Sequence, residues 1–184
     1  GKDALGANTT AADNTGVGYN ALAANTTGTR NTALGQSALT ANTTANNNTA
    51  IGERSMDANT TGYDNAALGA HALGGNTTGY GNLAVGYGSM FDNTTGDDNV
   101  GVGRNALGNN TTANNNTAVG SQALRDNTTG AQNTSVGKDS LLVNTTGTEL
   151  TAVGYAALDA NTTGSYNIAF GSYTLGTNTT ASHN

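Results

Sequence analysis

The chain has 184 residues and a net charge of −6; it is 35% hydrophobic and 5% aromatic, with no Cys and no Pro. That composition cannot fill an ordinary globular core. It rules out disulfides and thiolate metal sites and offers no basic stripe to neutralise nucleic-acid phosphates. No apolar run approaches the ~20 residues of a membrane span, and no signal peptide is visible.

Along the chain, the first feature to recur is Asn-Thr-Thr. It occurs eleven times, starting at Asn8, Asn25, Asn42, Asn59, Asn76, Asn93, Asn110, Asn127, Asn144, Asn161 and Asn178. Each start lies 17 residues after the last, with no insertion or deletion. A globular enzyme has no reason to keep such a register, whereas a stack of like coils does: one slipped residue would misalign a whole row. Residues 1–184 therefore form one tandem array. It begins at column 11 of the unit and ends at column 7, so it reads as an excerpt of a longer array.

With the first Asn as column 1, the unit reads Asn-Thr-Thr-Gly/Ala-x-x-Asn-Thr-Ala-Val/Leu-Gly-x-x-Ala-Leu-x-x. Column 7 is Asn except at Leu150, and column 10 is always apolar, from Val17 and Leu34 to Phe170. Column 11 is always Gly, column 14 is Ala, Ser or Thr, and column 15 is Leu or, at Met56 and Met90, Met. All 18 charged residues fall in columns 5, 6, 12, 13, 16 and 17, as do His71, His183 and all seven Tyr. Those columns face water, and the three stretches between them do not tolerate charge.

Short Thr- and Val-rich segments with Gly at the bends suit strands and are too interrupted for helices. Disorder would need neither the register nor the apolar columns. The fold class is all-β: a parallel β-solenoid of about eleven 17-residue coils, with three short segments per coil. Column 8 accepts Leu83, Val100 and Ile168 as readily as Thr, so columns 8 and 10 are expected to share a buried face. Columns 1 and 7 are expected to stack into Asn ladders. One Val and one Leu per coil bury too little to offset the ordering of a coil. Small columns 9 and 14 are therefore expected to let chains pack side by side, as a homotrimer or a laterally packed filament.

Units such as Asn31-Thr-Ala-Leu-Gly-Gln-Ser-Ala-Leu39 followed by Asn42-Thr-Thr resemble repeat tracts of bacteriophage tail-fibre-like and bacterial surface proteins. Those long chains often end in a self-cleaving chaperone domain of the endosialidase type. The Ala-Val-Gly-x-x-Ala pattern is similar to the head repeats of trimeric autotransporter adhesins, whose repeat is shorter. The resemblance covers the entire chain, in repeats of low complexity. It implies an extracellular, cell-surface or virion fibre, with a shaft or adhesive role and three chains.

Catalysis needs unlike groups converging on one place, and here they sit at scattered corners. His71 has no partner at motif spacing, Asp97-Asp98 is the one acidic pair, and no Asp column repeats. No catalytic residue, cofactor or metal site is assigned. The Asn-Thr-Thr triplets also read as N-glycosylation acceptors, with further sequons at Asn47, Asn109, Asn115 and Asn133. Glycans are wider than the ~4.8 Å rise of a coil, so the ladder is the favoured role for column 1. Tyr63, Tyr80, Tyr87, Tyr155 and Tyr166 offer rings for surface glycans. They share no single column, so ordinary exposed Tyr is the favoured reading. The rival function is ice binding by Thr rows, and a buried column 8 argues against it. A non-enzymatic fibre shaft leads.

Overall fold

The computed structural model describes residues 1–184 and contains no helix. Ten three-residue strands follow one another: β1 (Thr15–Val17), β2 (Thr32–Leu34), β3 (Thr49–Ile51), β4 (Ala66–Leu68), β5 (Leu83–Val85), β6 (Val100–Val102), β7 (Thr117–Val119), β8 (Thr134–Val136), β9 (Thr151–Val153) and β10 (Ile168–Phe170). They pair in parallel, in sequence order, as one sheet. The register is shifted by one unit throughout: Thr32 pairs with Thr49, Ala33 with Ala50 and Leu34 with Ile51. The chain is a parallel β-solenoid.

Of the three segments expected per coil, only columns 8–10 form a regular strand. The other two sides are chains of turns that still bond from coil to coil. Of 122 backbone hydrogen bonds, 104 lie outside the strands, so the strands alone do not hold the stack. On the column 14–17 side, Leu22 N–H donates to Ala38 O at 3.0 Å and Ala24 N–H to Thr40 O at 3.1 Å. On the triplet side, Thr60 N–H donates to Thr77 O at 3.0 Å. The bends use left-handed backbone at columns 6, 13 and 15. Examples are Asn47 (φ 60°), His71 (φ 58°) and Leu107 (φ 52°). A left-handed Leu is uncommon, and it is what turns column 15 into the coil.

The interior differs from the sequence expectation in one respect that governs everything outside it. Columns 8 and 10 point outward, and column 9 points inward. Ala33, Ala50, Ala67, Ala84 and Ala118 have no exposed surface, whereas Val17 is 52% exposed and Leu34 46%. The coil is too thin for two aliphatic ranks to meet. Leu or Met of column 15 fills it from one side, leaving room for a methyl group opposite. Even at Gly101 an added Cβ would lie 2.9 Å from Met90 Cγ. Columns 9 and 14 are thus the inner lining (Ala38, Ala72 and Ala106 are fully buried), and lateral packing of chains through these small columns is overturned. Ser135 and Ser140 occur together, and they bond one another inside the coil.

Both Asn ladders form. In column 1, each Asn Nδ2 donates to Oδ1 of the Asn one coil before: Asn42 to Asn25 at 2.8 Å, Asn110 to Asn93 at 2.9 Å, Asn178 to Asn161 at 3.1 Å. Its second hydrogen goes to the column 4 carbonyl of its own coil, as from Asn59 to Gly62 O at 2.9 Å. In column 7, Oδ1 accepts the backbone N–H of the next Asn, as from Asn65 to Asn48 at 3.0 Å. Nδ2 reaches across to a column 4 carbonyl, as from Asn48 to Gly62 O at 2.8 Å. Buried amides are thus matched donor to acceptor.

Leu150 interrupts column 7. Its N–H still donates to Asn133 Oδ1 at 3.0 Å, but its buried side chain offers nothing to the next coil. Replacing Leu150→Asn should restore the missing amide contacts and raise stability by about 1–2 kcal/mol, at roughly 0.5–1.5 kcal/mol per bond. Equilibrium urea unfolding checks this, and a lower midpoint for the variant would contradict the ladder account.

Candidate functional site

All charged side chains are at least partly exposed, at the corners where the periodicity puts them. Three surfaces result: a corner cleft, the outward face of the sheet, and an outward Thr rank.

The cleft of about 280 Å³ is lined by His71, Tyr87, Gly88, Phe91, Asn105, Gly108, Asn109 and Arg125. It arises where the corner at columns 12, 13, 16 and 17 loses side chains, at Gly88 and Gly108. His71, Gly88 and Asn105 all occupy column 13, at the bend where the backbone is left-handed. The His71 ring meets Tyr87 edge-on at 5.9 Å and Phe91 at 6.0 Å. Across the opening, Arg125 donates to Asp126 through Nε (2.7 Å) and a terminal nitrogen (2.6 Å). That pairing lifts the guanidinium above its already high range. Asn109 Nδ2 donates to the same carboxylate at 3.0 Å, so Asp126 holds both polar walls in place. The chemistry available is ring stacking and amide or guanidinium hydrogen bonding, which suits a hydroxylated ring with one apolar face. No cluster of three His, Asp or Glu side chains that could hold a metal ion forms anywhere in the chain.

Of the Tyr residues noted as ring surfaces, only Tyr87 reaches this cleft. Tyr63 and Tyr80 stack on one another from adjacent coils at 5.0 Å. Tyr155 packs edge-on to Tyr173 at 5.2 Å, and Tyr166 stacks on His183 at 4.8 Å. Phe91 was not anticipated as a site residue. Its signal is the column 16 aromatic placed one coil on from the column 13 ring of His71, which also meets the column 12 ring of Tyr87. Asp97-Asp98 is structural in part: Asp97 Oδ1 accepts the Tyr80 N–H at 3.0 Å, and the two carboxylates push the Tyr80 phenol upward. Asp57, at a partly buried corner, is raised mainly by desolvation, against the pull of Arg54.

The internal column 1 Asn residues, from Asn25 to Asn161, are fully buried. The Nδ2 atom to which a glycan would be joined is the ladder donor. Sequon residues Asn47, Asn109 and Asn115 are exposed, whereas Asn133 is buried. Column 3 is an exposed Thr rank, including Thr44, Thr61, Thr78 and Thr95. Column 2 is partly covered, and its hydroxyls donate up the stack, as from Thr94 to Thr111 O at 2.9 Å. The sheet face carries a second, mixed rank in column 8: Thr15, Thr32 and Thr49, then Ala66, Leu83 and Val100, then Thr117, Thr134 and Thr151. Column 10 beside it is aliphatic from Val17 to Val153 and ends at Phe170.

Comparison with protein-family models, with curated proteins and with solved structures returns no match. No helix of the structure is long and apolar enough to cross a membrane.

Proposed function

We propose that the chain is a non-enzymatic structural rod, a length of the shaft of an extracellular, cell-surface or virion fibre. The single observation behind this reading is the column 1 ladder. It runs unbroken from Asn8 to Asn178, with a fully buried amide in each internal coil that ties it to the coil before and closes its own bend. A ligand-binding scaffold needs a few unlike groups at one place, whereas a shaft needs every coil to be replaceable by its neighbour. The fibre context and the external location rest on the repeat resemblance. The corner cleft around Phe91 and Arg125 gives such a shaft one place at which a glycan ring could be held, the adhesive part of the reading.

Nine inter-strand steps of about 4.8 Å make the strand stack about 43 Å long. Small-angle scattering on arrays of increasing length tests the shaft. Length should grow by about 4.8 Å for each added 17-residue unit at constant cross-section, and a radius that grows in all directions would end the reading.

Ice binding is the second reading, and one observation favours it. The column 8 that counted against it as buried in fact faces outward and is partly exposed, so Thr32, Thr49, Thr117 and Thr151 stand beside a branched aliphatic rank on one regular outward face. The ranks repeat at about 4.8 Å along the stack and lie about 6.6 Å apart across it. Ala66, Leu83 and Val100 interrupt the Thr rank in the middle. Thermal hysteresis at millimolar protein would put this reading first, and its absence leaves the shaft.

A further inference from the structure

The outward face of the sheet has no charge on it and no cover. Val17, Leu34, Ile51, Leu68, Val119 and Phe170 are each between 37% and 78% exposed. They form a contiguous apolar strip, since equivalent positions pair directly from strand to strand. A monomer rarely leaves so long an apolar strip in water. We propose that a second copy of this chain covers it, sheet face against sheet face, with the two rods running in the same direction. This deepens the fibre reading and rests on it only for its biological setting.

Area and charge select the occupant. Ten strands about 4.8 Å apart and three residues long present roughly 450 Å². The bends on either side about double that, reaching the ~800 Å² per partner of a stable interface. The strip is also lengthened by every further coil, so a self-pairing array gains contact at the rate it grows. The two edges of the face carry opposite charge. The column 6 edge holds Asp13, Asp64, Asp98 and Glu149 against one Arg. The column 12 edge holds Lys2, Arg104 and Lys138 against one Glu. A two-fold axis along the rod reverses the strands and keeps their height, so each acidic edge meets a basic one. Asp98 and Arg104, on the two flanks of β6, would then face one another across the interface. A two-fold axis along the strands instead sets like edges together, which repels. Complementarity therefore favours rods that run the same way.

The test uses the whole chain. Sedimentation equilibrium at about 50 µM should give at least twice the 18.2 kDa chain mass, and Leu68→Lys with Val119→Lys should return it to one chain with an unchanged circular-dichroism spectrum. Since there is no native Cys, Leu34→Cys supplies a unique thiol and a readout independent of that variant's folding. A bifunctional maleimide reaching about 10 Å should join two chains in the parallel arrangement. In the opposite arrangement β2 faces β9, leaving the thiols seven steps or about 34 Å apart. A folded wild-type monomer, an oligomer unaffected by the paired Lys variant, or failure to cross-link overturns the proposal. So does thermal hysteresis from a monomer that the Lys variant loses, which assigns the face to ice. A monomer that is still a rod by scattering would leave the shaft reading intact.

Discussion

Leu107→Asp should split the rod into two stretches that melt separately, at a local cost of about 4 kcal/mol or more. Leu107 is fully buried at the middle of the column 15 rank, between Met90 and Leu124. A carboxylate there has lost its water and faces methyl groups, so it takes up a proton and remains underbonded. Backbone conformation does not explain the loss, because Leu107 already sits at φ 52°, where Asp is more at ease than Leu. Each coil touches only its two neighbours, so one failed coil uncouples those above from those below. The partner substitution Arg104→Ser, at an exposed corner three residues earlier, should stay within about 0.5 kcal/mol. Calorimetry on both variants decides between burial and general fragility. Two transitions for Leu107→Asp and one for Arg104→Ser are expected; equal losses would contradict the inside and outside assignments.

The register, both Asn ladders and the confinement of charge to the corners were legible because each depends only on period, and a 17-residue period without slips shows itself in one chain. The parity of the strand was not. Columns 8 and 10 are the larger apolar residues, and the ordinary rule puts larger apolar residues inside. A coil this narrow reverses it, since Leu39 or Met56 takes the available width and leaves space only for Ala50 or Ala67 opposite. The better signal lay in tolerance rather than hydrophobicity. Column 9 accepts only Gly, Ala and Ser, as a confined position must, whereas column 8 ranges from Thr to Leu and Ile, as a position open to solvent can. The left-handed Leu of column 15 had no sequence cue, because Leu is not a residue that marks that conformation. The cleft was hidden for another reason: His71 belongs to one coil and Tyr87 and Phe91 to the next, in three different columns, and Gly88 and Gly108 line the space beside them.

Gly103→Ala adds one methyl group at an exposed-looking bend, yet it should cost about 3 kcal/mol or more. Two effects combine. Gly103 sits at φ 136°, outside even the left-handed well that Leu107 uses, and residues with a Cβ are strained there by about 1–3 kcal/mol. The new Cβ would also overlap the carbonyl of Gly120, the equivalent Gly one coil on. That carbonyl belongs to the backbone, so relief requires the two coils to move apart. Movement of that kind strains the neighbouring Gly103 N–H to Val85 O bond, now 2.7 Å, and the Val102 pairing beside it. The same change at Gly108, five residues later, separates this cause from a general dislike of added bulk. Gly108 has no positive φ, and its added Cβ would meet nothing closer than Asn105 O at 3.3 Å. Gly108→Ala should therefore stay within about 1 kcal/mol, with the lower entropy of the unfolded chain partly offsetting the tight contact. Urea midpoints for the two alanine variants read the difference directly. If they coincide, the one Gly rank found in every coil owes its identity to something other than the spacing of the stack.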